Sequence, residues 1–144
     1  MSAMSDYLEN KLVDLLFRGQ AFSAPACYIG LFTAAPSDSG GGTEVSGGSY
    51  ARVNTSAGLT TWAGTQSAGS TTASSGTGGQ TSNNGAITFP APSANWGSIT
   101  HFGIFDAASG GNLLFHGALT ASKTVNNGDP APSFTSGSLT VTLA

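Results

Sequence analysis

Imidazole, carboxylate and thiol groups carry most protein chemistry, and this chain has few of them. His101 and His116 are its two histidines. They fall in two alternating runs, residues 99–105 and 113–119, which read as paired strands that could bring the rings together. A metal site needs a third ligand and a supporting second shell. Asp106 is expected on the opposite strand face from His101, so hydrogen-bonded or edge-facing histidines are expected, and no metal. Asp38 and Glu44 share a polar loop and could act as an acid–base pair or hold a cation. A flexible loop, however, positions two carboxylates poorly. Cys27 is the single cysteine, so no intrachain disulfide forms. With no cation near it in sequence, a buried structural thiol is expected. No GxSxG, HExxH or P-loop pattern occurs. The runs Gly40-Gly41-Gly42 and Gly47-Gly48 lack the strand-to-helix setting of a phosphate cradle. No catalytic residue, cofactor or enzyme activity is therefore expected. Tyr50, Trp62 and Trp96 could form a stacking platform for a sugar; packing in the core or at a sheet edge is the other use of such residues.

Composition narrows the class. The chain has 144 residues, which suits one domain. Charged residues are 8%, far below the roughly 25% of ordinary soluble domains. Yet 39% of residues are hydrophobic and 9% aromatic, clustered in short runs between Gly, Ser and Thr. That pattern favours strands and small-residue loops over disorder. Lys11, Arg18, Arg52 and Lys123 are scattered, and the net charge is −3, so no basic patch awaits nucleic acid. Few charges also means weak repulsion between copies, as suits a protein in an assembly. No run approaches the roughly 20 apolar residues of a membrane span. Asp6 and Glu9 stand where a secretory leader would be basic, so none is expected.

The elements must position these side chains. Residues 98–120 (SITHFGIFDAASGGNLLFHGALT) carry apolar residues on both faces of two strands around a turn at residues 106–112, which predicts a central hairpin covered on both sides. Residues 1–19 hold the expected helix, capped by Ser5 or Asp6, with Glu9 three residues beyond Asp6 and Gly19 past its end. Leu8, Leu12, Leu15 and Leu16 form one apolar stripe, widened by Val13 and Phe17. The stripe must bury, on its own β domain or on a neighbouring subunit. A terminal helix is free to reach out, so copies are expected to associate through these leucines. Residues 26–33 read as a strand with Cys27, Ile29 and Leu31 on one face and Tyr28 and Phe32 on the other. Residues 50–55, 59–62 and 86–89 suggest shorter strands. Residues 123–126 and 138–143 suggest a final pair across the turn at 126–129. Residues 64–85 lack large apolar residues and read as a long exposed loop or arm. The sum is one domain, residues 1–144. It is mainly β: a jelly-roll-like antiparallel sandwich of seven or eight strands over residues 20–144, with one N-terminal helix.

Three motifs, YIGLFTAAPSD, GTEVSGGSYARV and THFGIFDAASGGNLLFHG, lie in two longer runs that begin SDYLENKLVDLLFRGQ and WGSITHFGIF. Together they resemble a family of small structural proteins of tailed bacteriophages, variously described as tail-fibre, minor tail or head-decoration proteins. The resemblance spans nearly the whole chain and is least distinctive over residues 64–85. It implies a non-enzymatic virion component, made in the host bacterial cytoplasm. Such a component would be a capsid decoration or cement protein, or a tail-associated one. Its implied partners are copies of itself and the major capsid or tail proteins. The alternative is a tail-fibre adhesin module binding host glycans through Tyr50, Trp62 and Trp96.

Overall fold

Where β-branched and aromatic residues alternate longest, the longest strands form. In the computed structural model, which describes residues 2–65 and 69–143, these are β7 (Gly97–Phe105) and β8 (Leu113–Val125). They pair antiparallel as the expected hairpin. The turn closes on Asp106, whose carboxylate accepts hydrogen bonds from the backbone N–H and side-chain amide of Asn112, each at 2.7 Å. Gly110 and Gly111 take φ of 61° and 71°, the left-handed region that the reversal demands and glycine occupies without strain.

β2 (Tyr28–Ala34) pairs with the other edge of β7. β1 (Ser2–Met4) pairs with β8 at Phe115, His116 and Gly117. β3 (Thr43–Glu44) and β4 (Val53–Asn54) divide the outer edge of β2 between them. This six-stranded sheet has the order β1-β8-β7-β2-β3, with β4 also on β2.

The N-terminal helix is shorter than the expected span of residues 1–19. Residues 2–4 are strand, and α1 spans Asp6–Phe17. Ser5 makes the transition. Its backbone N–H donates to the carbonyl of Leu114 at 2.9 Å, its hydroxyl donates to the carbonyl of Leu113, and the same oxygen accepts from the N–H of Leu8 at 3.3 Å. One residue thus ends a strand and caps a helix. Gly19, at φ 66°, turns the chain out of the helix.

A register shift corrects one face assignment. Simple alternation groups Ile99 with His101, Gly103 and Phe105. Ile99 instead joins Phe102 and Ile104 in the inner core. The ladder pairs Ile99 with Lys123 but His101 with Ala118, so residues 119–122 bulge and the faces exchange.

The C-terminal strands also pair differently from expectation. Residues 123–125 complete β8, opposite Gly97, Ser98 and Ile99. β10 (Thr140–Thr142) pairs instead with β5 (Gln80–Ser82), inside the segment read as a loop. β6 (Ile87–Thr88) pairs with β9 (Ser133–Phe134). Residues 59–62 form a turn, with the N–H groups of Thr61 and Trp62 both on the carbonyl of Gly58 at 3.1 and 3.0 Å. Of the 64–85 segment, residues 71–78 are exposed as expected and residues 66–68 lie outside the described ones. Its far end is anchored by Asn83, 1% exposed. The Asn83 amide donates to the carbonyls of Gly85 and Thr135 at 2.7 and 2.9 Å and accepts from the N–H of Leu139 at 2.9 Å. Hydrogen bonds, which a search for apolar anchors overlooks, hold this polar stretch.

The architecture is mainly β and antiparallel, with one helix. In place of two facing sheets, the described strands form one six-stranded sheet and two two-stranded ribbons. Pro90 and Pro92 follow β6 and Pro130 and Pro132 precede β9, so at one end of that ribbon the N–H groups that would extend it are withheld. The ribbons cover the inner face of the main sheet, where Ile87, Phe89, Leu139 and Val141 join Ile29, Leu31, Phe102 and Leu114. The outer face carries a smaller cluster, Phe32, Phe105 and Leu113, with Tyr28 against it. The hairpin is therefore buried on its inner face, and on its outer face only near the turn; residues 120–124 of β8 are exposed, so the expected cover on both sides is partial.

Candidate functional site

The most elaborate polar arrangement sits where β3 and β4 leave a gap on the edge of β2. Leu31, its side chain buried, is a strand residue whose backbone that gap leaves without a ladder partner on β3 or β4. Its carbonyl accepts from the N–H of Val45 at 2.9 Å, and its N–H donates to the Tyr50 hydroxyl at 2.9 Å. That hydroxyl in turn donates to Glu44 Oε1 at 2.8 Å. Arg52 grips Glu44 with two parallel bonds, Nε to Oε1 at 2.8 Å and Nη2 to Oε2 at 2.7 Å. Its Nη1 donates to the carbonyls of Ala107 and Gly110 in the hairpin turn, at 2.9 and 2.8 Å. The guanidinium lies 3.4 Å from the centre of the Phe105 ring. Gly30 makes room: a Cβ there would stand 2.8 Å from Glu44 Oε1. Gly103, its partner across β7, lies so close under Phe32 that a Cβ would stand 2.8 Å from the ring. The motifs YIGLF, GTEVSGGSYARV and THFGIFDAASGG thus meet in one network that plugs a sheet edge and ties down the turn.

Burial pushes the Tyr50 hydroxyl above its ordinary value near 10, and Glu44 pushes the same way, while the Leu31 N–H and Arg52 oppose. The folded state therefore keeps a proton that the unfolded chain loses above pH about 10. Stability is fully present below that pH and falls as pH rises beyond it. The denaturant midpoint is expected to drop between pH 10 and 11. The stability gap between the wild type and Tyr50→Phe should narrow over the same interval.

The remaining sequence candidates are dispersed. Asp38 and Glu44 answer to different partners. Asp38 Oδ1 meets His116 Nε2 at 2.9 Å, whereas Glu44 is held by Arg52 and Tyr50. His101 Nδ1 contacts Thr100 Oγ1 at 2.8 Å. Among the described residues no cluster of three His, Cys, Asp or Glu side chains could hold a metal. Cys27 is half-buried, and burial pushes its thiol up, which keeps it protonated at neutral pH.

Of the three aromatic candidates, Trp96 and Tyr50 pack together and Trp62 stands apart. Trp96 is 6% exposed, and its Nε1 donates to the carbonyl of Gly48 at 2.9 Å. Tyr50 meets it edge-on, with ring centres 5.4 Å apart. Trp62 stands elsewhere, against Asn83, with its Nε1 donating to the carbonyl of Thr55 at 3.3 Å.

The helical stripe divides. Leu8 is 7% exposed in the inner core, and Leu12 packs partly against it. Leu15 is 39%, Leu16 69% and Phe17 81% exposed, with Val13 beside them at 50%. Val13, Leu16 and Phe17 follow the i, i+3, i+4 spacing of one helix face, so α1 offers a second apolar surface outward.

Ser5 is the cap that the sequence offered, and its bonds to Leu113 and Leu114 come in addition; Asn83 and the role of Arg52 carried no such assignment. For Arg52 a signal existed: Glu44 and Arg52 flank Gly47-Gly48, so a turn there brings opposite charges together.

A family model described as "Podophage GP4 fiber I protein gp80" covers residues 3–142. No curated protein matches the chain.

Proposed function

The chain belongs to the podophage GP4 fiber I protein gp80 family, and from that premise we propose that it is a tail-associated structural component of the virion. It works through protein–protein contacts rather than catalysis. The family match over residues 3–142 carries this reading. The placement of polar groups agrees with it. The network of Tyr50, Glu44 and Arg52 is spent on holding the fold, with its donors and acceptors turned onto one another. For the alternative of a glycan-binding module, Tyr50 and Trp96 pack edge to face on each other and Trp62 stands apart, so the three do not form one stacking platform.

The outer face of α1 is the proposed contact with copies of the chain or with other virion proteins. Leu15 and Leu16 carry it, together with Val13 and Phe17. Leu8 and Leu12 serve the chain's own core. Removing residues 1–18 would take away β1, Ser5 and Leu8, so it would damage the fold and the contact together. Point changes separate the two. Leu16→Glu combined with Phe17→Glu alters only exposed positions, and surface changes of this kind usually shift stability by no more than about 0.5 kcal/mol. The double variant is expected to fold with an unchanged melting temperature and to be excluded from particles in a complementation assay. Normal incorporation of the variant would refute the helix contact.

A further inference from the structure

The chain holds two Asn-Gly pairs, Asn84-Gly85 and Asn127-Gly128; every other asparagine precedes a residue with a side chain. In such a pair the backbone nitrogen of the glycine can attack the asparagine amide, and a glycine has no Cβ to obstruct that approach. The structure treats the two pairs differently. Asn84 is half-buried and clamped through both ends of its amide. Its Nδ2 donates to the carbonyls of Leu59 and Ser70 at 2.9 and 3.3 Å, and its Oδ1 accepts from the N–H of Gly69 at 3.0 Å. Asn127 is exposed in the turn after β8, and its side-chain amide has no hydrogen-bond partner among the described residues. Its backbone N–H is held by Asn95 Oδ1 at 2.9 Å.

We propose that Asn127 is the site of a spontaneous covalent modification, in which its amide becomes a carboxylate through a succinimide. The Gly128 N–H leaves the Pro92 carbonyl, to which it donates at 3.1 Å. Its nitrogen bonds to Asn127 Cγ and gives up its proton. The Cγ–Nδ2 bond breaks, and Nδ2 departs as ammonia with that proton. Water then opens the ring. Cleavage between Cγ and the ring nitrogen leaves aspartate; cleavage between the backbone carbonyl carbon and that nitrogen leaves isoaspartate. Either product adds one negative charge to a chain of net charge −3, close to Asp129, whose Oδ2 accepts from the Asn126 N–H at 2.8 Å. Isoaspartate also adds a methylene to the backbone of a turn closed by the Asp129 N–H on the Asn126 carbonyl at 3.1 Å. The turn thus changes charge and shape with age and without an enzyme.

Peptide mapping of the intact protein held in mildly alkaline buffer tests this. Asn127 is expected to convert roughly ten times faster than Asn84, which must first give up its hydrogen bonds. Hydroxylamine, which cleaves succinimides, should cut the chain after Asn127. In urea, where neither pair is held, the two rates should converge. Asn127→Gln would need a larger, slower-closing ring, so it should abolish the mass gain and the cut while keeping the fold, the position being exposed. Three results would overturn the proposal. One is conversion of Asn84 as fast as that of Asn127 in the folded chain. Another is an Asn127 that stays intact in the folded chain while it converts fully in urea, which would mean that the bond from Gly128 to Pro92 shields it. The last is persistence of the mass gain and the cut in Asn127→Gln.

Discussion

Arg52→Ala is expected to destabilise the chain by about 3–5 kcal/mol, the usual effect of removing one partner of a buried ion pair. The Arg52 side chain is 8% exposed and that of Glu44 25%. Without the guanidinium, the Glu44 carboxylate keeps only the Tyr50 hydroxyl. The carbonyls of Ala107 and Gly110 lose the donor that fastened the hairpin turn to the edge of the sheet. Partial exposure of Glu44 lets water recover some of the loss, which puts the lower end of the range nearer the mark. Arg52→Lys keeps the charge but not the planar fork, so it should rescue only part of the stability. Changing both partners, Arg52→Leu with Glu44→Leu, should cost less than Arg52→Ala alone, because no buried charge is stranded. Equilibrium denaturation in urea measures all three. A single variant within about 0.5 kcal/mol of wild type would place the network among solvated surface pairs, whose contribution is small.

Phe102→Ala should cost a similar amount, about 3–5 kcal/mol, for a different reason. The ring is 4% exposed on the central strand. Across β8 it faces Gly117, and across β2 it faces Leu31. It meets Phe134 of β9 edge-on, with centroids 6.4 Å apart. Its loss leaves a cavity between the main sheet and a two-stranded ribbon too short to be stable by itself. A double-mutant cycle with Phe134→Leu should show coupling of about 0.5–1.5 kcal/mol. A cost below about 1.5 kcal/mol for Phe102→Ala would mean that the β6–β9 ribbon does not depend on the sheet for its core.

Alternation made the hairpin legible because Phe102, Ile104, Leu113 and Leu114 declare two buried faces in a short window. The same rule failed at Ile99, because a bulge in the partner strand is invisible in the strand it faces. The leucine repeat located α1 and its apolar stripe. It could not say which leucines face inward, since that depends on how β1 and Ser5 dock the helix to β8. Residues 64–85 were misread at their far end because Asn83 anchors the chain by hydrogen bonds, and an asparagine in a polar run carries no periodic signal. Strands of two or three residues, such as β6 and β9, fall below the length at which a period can be counted. The candidate site followed the same division. Glu44, Tyr50 and Arg52 were visible as residues within one motif. Their meeting at Leu31 required the gap between β3 and β4, which only the assembled sheet defines.

A chain that works as part of the tail apparatus, as proposed, must be found on the tail. Cryo-electron microscopy of purified particles bearing a gold-labelled tag on the chain tests it most directly. A tag replacing the exposed residues 71–78 avoids both the core and α1. Label is expected at the tail and fibres of intact virions, and should disappear when the tagged chain carries Leu16→Glu and Phe17→Glu. Label spread over the capsid lattice, or particles that lack the chain altogether, would contradict it.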